Sequence, residues 1–141
     1  MLLTGSPQMD AERAFTREMR ARRRDSLVRR LGRGRGGRLP VYDEGARRSA
    51  GIPARLEIPL DKIAGTVEPS RAELFDGAFR PGKLARSRWE RLWMAEHRGT
   101  VLPPISVIRV RDGYAVRDGH HRVSVARARG ALTIDAAVEA G

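Results

Sequence analysis

The 141 residues predict an α+β fold, a small mixed sheet with two or three helices, preceded by a basic, partly helical N-terminal arm. Three observations carry that expectation. Short stretches with apolar residues at every second position alternate with stretches whose apolar residues recur three and four apart, the periods of strand and helix. Asp112-Gly113 stands between two apolar runs, the strongest short signal for a hairpin. Charge is front-loaded: residues 1 to 38 hold eleven arginines against four carboxylates, +7 of the chain's total +11.

Asp10 to Leu31 is rich in helix formers and free of glycine and proline, which predicts a helix. Its apolar residues Ala14, Phe15, Met19, Leu27, Val28 and Leu31 make only a thin stripe, so the helix must lean on a partner or fray. "GRGRGGRLP" (32–40) and "DEGARRSAG" (43–51) have the composition of flexible linkers. Residues 1–53 therefore read as arm and linker, and residues 54–141 as the compact domain.

Within that domain "RLEIPLDKI" alternates Leu56, Ile58 and Leu60, and Pro59, which has no N–H to give, marks an edge strand. Ile63 enters a turn, and Gly65 to Lys83 reads as a loop with one helical turn. In "ARSRWERLWMAEHRG" the spacing of Trp89, Leu92, Trp93 and Glu96 predicts an amphipathic helix closed by Gly99, with the tryptophans in the core and Arg86, Arg88, Arg91 and Arg98 on the wet side. "PPISVIRV" and "YAVR" predict the two hairpin strands, "HRVSVARAR" a helix ended by Gly130, and "TIDAAVE" the last strand.

The absence of cysteine excludes disulfides, thiolate zinc sites and thiol nucleophiles. No apolar run is long enough to span a membrane and the first residues lack the pattern of a secretory signal, so a cytoplasmic location is expected. No cluster has metal-ligand spacing, so no metal site is expected.

The chemistry concentrates at Asp118, Gly119, His120, His121 and Arg122, where a strand hands over to a helix. The leading N–H groups of a helix have no partner within it, and its dipole favours negative charge there, which suits a phosphate. Gly119 permits close approach, Arg122 can pair two phosphate oxygens, and His120 and His121 can donate to others. Asp118 would suit Mg²⁺ or a ribose hydroxyl, or simply cap the helix. Adjacent histidines point about 100° apart on a helix and so do not chelate zinc; the plainer reading is two polar residues at a solvated helix start. Arg22, Arg23, Arg24, Arg29, Arg30, Arg33 and Arg35 form a cationic arm suited to DNA or another polyanion, or else a solvated tail.

The order of parts over residues 56 to 138, and the run Leu102 to Gly130 above all, resembles the N-terminal domain of ParB-type chromosome-partitioning proteins and the sulfiredoxin-like superfamily. The resemblance implies a nucleotide ligand, CTP, ATP or ADP with Mg²⁺, its phosphates at Gly119 to Arg122. "DGHHR" is closest to the motif of ADP-dependent free serine kinases, whose general base is a glutamate shortly after the first strand. Glu68 matches that position, and Arg71 could reach the same phosphates. His120 stands where sulfiredoxins carry their cysteine, which excludes sulfinic acid reduction. The chain ends just after the last strand, so the helix-turn-helix and dimerisation domains of a partition protein are not expected. Two functions follow: a nucleotide-binding module whose arm rests on DNA, or a small-molecule kinase with Glu68 as base. Any enzyme activity would be that of a phosphotransferase or nucleotide hydrolase.

Overall fold

A computed structural model describes residues 5–31, 37–43 and 51–139 of the chain. The first element, α1 (Pro7–Arg30), begins three residues before the predicted helix. Pro7 sits in the first turn, where its fixed φ fits and its missing N–H is not needed, and the Ser6 side chain accepts from the Met9 amide at 3.4 Å.

Five strands follow: β1 (Ala54–Pro59), β2 (Ile63–Thr66), β3 (Ile105–Val110), β4 (Gly113–Asp118) and β5 (Thr133–Val138). They form one mixed sheet in the order β1-β5-β3-β4-β2, with β2/β4 and β3/β5 parallel and the other pairs antiparallel. The expected α+β class is the one observed. β1 is an edge strand, as Pro59 required. Between β2 and β3 lie a single turn of helix, α2 (Pro69–Ala72), and the amphipathic α3 (Arg86–His97); α4 (His120–Ala128) joins β4 to β5.

Ile63 to Thr66 is a strand, not the turn and loop that its sequence suggests. The segment has only four residues and contains Gly65, so it carries no period of its own; pairing with β4 and burial of Ile63, Gly65 and Thr66 define it. The end of the presumed linker lies along it. Leu39 is buried, Tyr42 N–H donates to Thr66 O at 2.8 Å, and Thr66 N–H donates to Pro40 O at 2.9 Å.

The hairpin turn is Arg111 and Asp112, one residue before the expected pair, and Gly113 opens β4 with φ 135. A Cβ at Gly113 would collide with the Lys62 carbonyl. Glycine is needed there for close approach as well as for its φ.

Two apolar clusters hold the layers. One joins the sheet to α4 and the 72–85 segment through Ile58, Ile105, Val116, Val123, Phe75 and Phe79. The other packs α1 on α3 and α4 through Ala11, Ala14, Phe15, Trp89, Trp93 and Val125. The partner that α1 leans on is thus within the same chain. Phe15 meets Trp89 edge-on at 5.5 Å, and Trp89 Nε1–H donates to Ser124 Oγ at 2.8 Å. Both tryptophans are core residues, and truncating either would cost about 3 to 5 kcal/mol. Leu27, Val28 and Leu31 lie beyond this contact and are exposed.

Candidate functional site

β4 passes into α4 through Gly119, whose φ of 104 and ψ of 23 are left-handed. A Cβ there would lie 2.5 Å from Ile105 Cγ2, so both conformation and space demand glycine. Gly119 takes the cap position, so the cap residue offers no side chain to the leading amides of α4. Asp118 is therefore not a helix cap. Its exposed carboxylate pairs with Arg122 Nη2 at 3.2 Å.

His120 and His121 do not stand on a solvated helix start; they are 3% and 7% exposed. The His120 ring lies parallel to Phe75 at 6.5 Å, and His121 meets the same ring edge-on at 5.1 Å. His120 Nε2 is 2.6 Å from Thr66 Oγ1, which also accepts the Glu68 N–H at 2.9 Å and lies 3.2 Å from the Val116 carbonyl. One hydroxyl thus joins the end of β2, the end of β4 and the start of α4.

Burial is the main cause that holds the His120 imidazole down to about 4, with the positive charge of Arg71 acting next. His121 is also held at about 4, by burial first, then by Arg88 and Arg71. Both rings are neutral at pH 7 and face guanidinium charge, which the Asp118 carboxylate offsets in part at His120. Arg71 on α2 acts on both.

Glu68 is half-buried and precedes α2, and its backbone is fixed by the Thr66 hydroxyl. Its charge reaches Arg117, which pairs side-on with Glu139, Nε donating to Oε1 and Nη2 to Oε2 at 3.0 Å. The fold therefore gathers Glu68, Arg71, His120 and His121 around Thr66 and Phe75. Sequence reading missed both of the latter. Thr66 and Phe75 both lie in the stretch Gly65 to Lys83, which reads as loop from the sequence, and neither spacing nor motif singles them out.

Arg122 is differently engaged. Its Nη1 donates to the carbonyls of Pro103 and Pro104 at 2.6 and 3.0 Å. It ties α4 to the approach to β3, with Nη1 committed to those carbonyls and Nη2 to Asp118. A groove of about 330 Å³ reaches Arg122 from the other side, but Glu57, Glu96 and Asp135 line it, a poor setting for an anion.

The basic arm divides in two. Arg22 Nη1 is buried beside Gly82 without an acceptor, and Arg29 lies 3.9 Å from Asp25. Arg23, Arg24 and Arg30 are exposed, while Arg33 and Arg35 fall outside the described residues. A separate open groove of about 510 Å³ is lined by Arg13, Arg17, Arg20 and Arg24 of α1 and Arg86 of α3. The spacing of four, three and four along α1 was the available signal for a shared face. Among the described residues no helix is long and apolar enough to cross a membrane.

The chain is similar to the crystal structure of sulfiredoxin from Arabidopsis thaliana, at 25% identity and a TM-score of 0.47, over 63% of this chain and 88% of that one. No family model and no curated protein sequence matches it.

Proposed function

We propose that this protein is a nucleotide-binding module, with the polyphosphate lying against Arg71 and the leading amides of α4. One observation supports this above the others: an exposed guanidinium and an uncapped helix start converge on two buried, neutral imidazoles. The exposed Asp118 carboxylate is engaged by Arg122, the Arg71 guanidinium adds positive potential that favours an anion, and amides at a helix start suit phosphate oxygens. Arg122 supports the site from beneath through the Pro103 and Pro104 carbonyls.

Mg²⁺ would arrive on the phosphates. It needs only one or two protein carboxylates, and Glu68 and Asp118 flank the motif. A nucleotide ligand agrees with a cytoplasmic location, and the basic α1 adds a second capacity, electrostatic contact with DNA. Without a cysteine the chain has no thiol for sulfinic acid reduction.

Titration with CTP, ATP, ADP and GTP, with and without Mg²⁺, tests the reading. Arg71→Ala should weaken the preferred nucleotide by about 1.5 to 3 kcal/mol, the range for a hydrogen bond to a charged group. Equal affinity in the variant would remove Arg71 from the site, and no affinity for any of the four would end the proposal. Transfer to a small hydroxyl substrate is the second reading. The bond from the Glu68 backbone N–H to Thr66 Oγ1 favours it, because it fixes the backbone of the candidate base next to the hydroxyl that His120 meets. Glu68→Gln should then abolish turnover and leave nucleotide affinity within about threefold, under 1 kcal/mol.

A further inference from the structure

From the groove along α1 we infer that the phosphate backbone of duplex nucleic acid docks on Arg13, Arg17, Arg20, Arg24 and Arg86, rather than on Arg22, Arg23, Arg29 and Arg30. The inference rests on the reading of α1 as a polyanion-binding element and assigns that element a surface.

The helix presents two unlike faces. Ala11, Ala14 and Phe15 are buried against Trp89 and Trp93, so the orientation of α1 on the domain is fixed by packing. That anchoring leaves the opposite side outward, and Arg13, Arg20 and Arg24 are exposed there with no ion pair among the described residues. Arg17 also borders the groove while its Nη2 donates to the Ala128 carbonyl at 3.1 Å. Arg86 comes from α3, stacked on Phe15 at 5.2 Å and paired with Glu90 at 3.2 Å. Glu12 is the one carboxylate in the lining.

Dimensions and chemistry select the partner. Arg13 to Arg24 spans eleven residues, about 16 Å at 1.5 Å per residue. One strand of a duplex presents about five phosphates over that length, at roughly one per 3.4 Å of axis. No aromatic side chain lines the groove, so it lacks the stacking platform that single-strand binders use. A membrane surface fits less well, because a helix lying on lipid inserts a continuous apolar face, and α3 covers Ala11, Ala14 and Phe15 and leaves only Met9, Leu27 and Val28 exposed towards the two ends of α1.

Binding of the full chain to a short duplex, measured against salt between about 50 and 200 mM, is the test. The wild type should give a slope of log K against log salt of about −4.5, from about five phosphates at 0.9 each. Arg13→Gln/Arg20→Gln/Arg24→Gln should bring it to about −2 and lower the low-salt affinity at least tenfold, while its circular dichroism and nucleotide affinity stay unchanged. Arg23→Gln/Arg30→Gln, which alters exposed arginines outside the groove lining, should change little. If the first variant binds as the wild type does and the second loses binding, the contact lies elsewhere and the inference fails while DNA association stands. If the wild type does not bind duplex at all, both fail. Tighter binding to anionic vesicles than to duplex would replace the assigned partner by a lipid surface.

Discussion

The start of α4 and the open face of α1 are both positively charged, yet they handle that charge in opposite ways. At α4 the charge acts on groups fixed within the fold: two imidazoles 3% and 7% exposed, a shared hydroxyl at 2.6 Å and a glycine in a left-handed conformation. Along α1 the guanidiniums project into solvent from one helix and repeat at helical spacing. The first arrangement is sensitive to geometry and proton concentration, and salt screens it little. The second is sensitive to ionic strength and tolerant of individual substitutions. Positive charge alone therefore does not say what a surface does; how firmly its neighbours are ordered does.

The largest expected difference between the two regions is in acid. A histidine with an ordinary value of 6.5 in the unfolded chain and about 4 in the fold takes up its proton more readily when unfolded. Its contribution to stability is complete above 6.5 and is lost as pH falls through the window from 6.5 to 4. Each imidazole accounts for up to about 3 kcal/mol over that window. Glu18 and Glu96 act in the other direction, since burial raises both carboxyls and their protonation in the fold relieves a cost as pH falls. Thermal midpoints measured across the window should still fall, and His121→Leu should flatten the curve. A flat curve for the wild type would mean that the imidazoles are solvated.

Next in size is Gly119→Ala. The left-handed backbone and the approach of Ile105 Cγ2 together should cost about 2 to 4 kcal/mol, read as a lower urea midpoint at unchanged slope. Thr66→Val follows. It keeps the shape but leaves His120 Nε2 and the Glu68 N–H without their common partner, at about 1 to 3 kcal/mol. Like Gly119→Ala, which alters the helix start itself, it should also weaken nucleotide binding, because it frees the segment that carries Arg71.

The contrast also marks what could be read from the sequence. The hairpin, α3, α4 and β5 announced themselves through period and punctuation, since their own residues decide their conformation. β2 did not, because four residues paired in parallel with a distant strand draw their order from β4. At the candidate site, Asp118 to Arg122, Glu68 and Arg71 were visible as residues with chemical potential, but their division of labour was not. Whether Arg122 faces a phosphate or the Pro103 carbonyl, and whether His120 is wet or held on Thr66, depends on approaches between segments about 20 to 50 positions apart, which no local pattern encodes.

The smallest effect sharpens the comparison most, because its sign is unusual. Arg20 has Arg17 three residues before it, Arg23 three after and Arg24 four after, all on one helix. Like charges at these spacings oppose helix formation by about 0.2 to 0.5 kcal/mol per pair. Arg20→Gln should therefore raise stability by about 0.6 to 1.5 kcal/mol, with the gain largest at low salt and fading as the charges are screened. Paired urea titrations at low and high salt measure it. A fold carries such repulsion on an exposed face without structural benefit, so the same substitution should weaken duplex binding while it strengthens the protein. If Arg20→Gln destabilises instead, the guanidinium has a structural partner and the α1 face is closer in kind to the α4 site than its exposure implies.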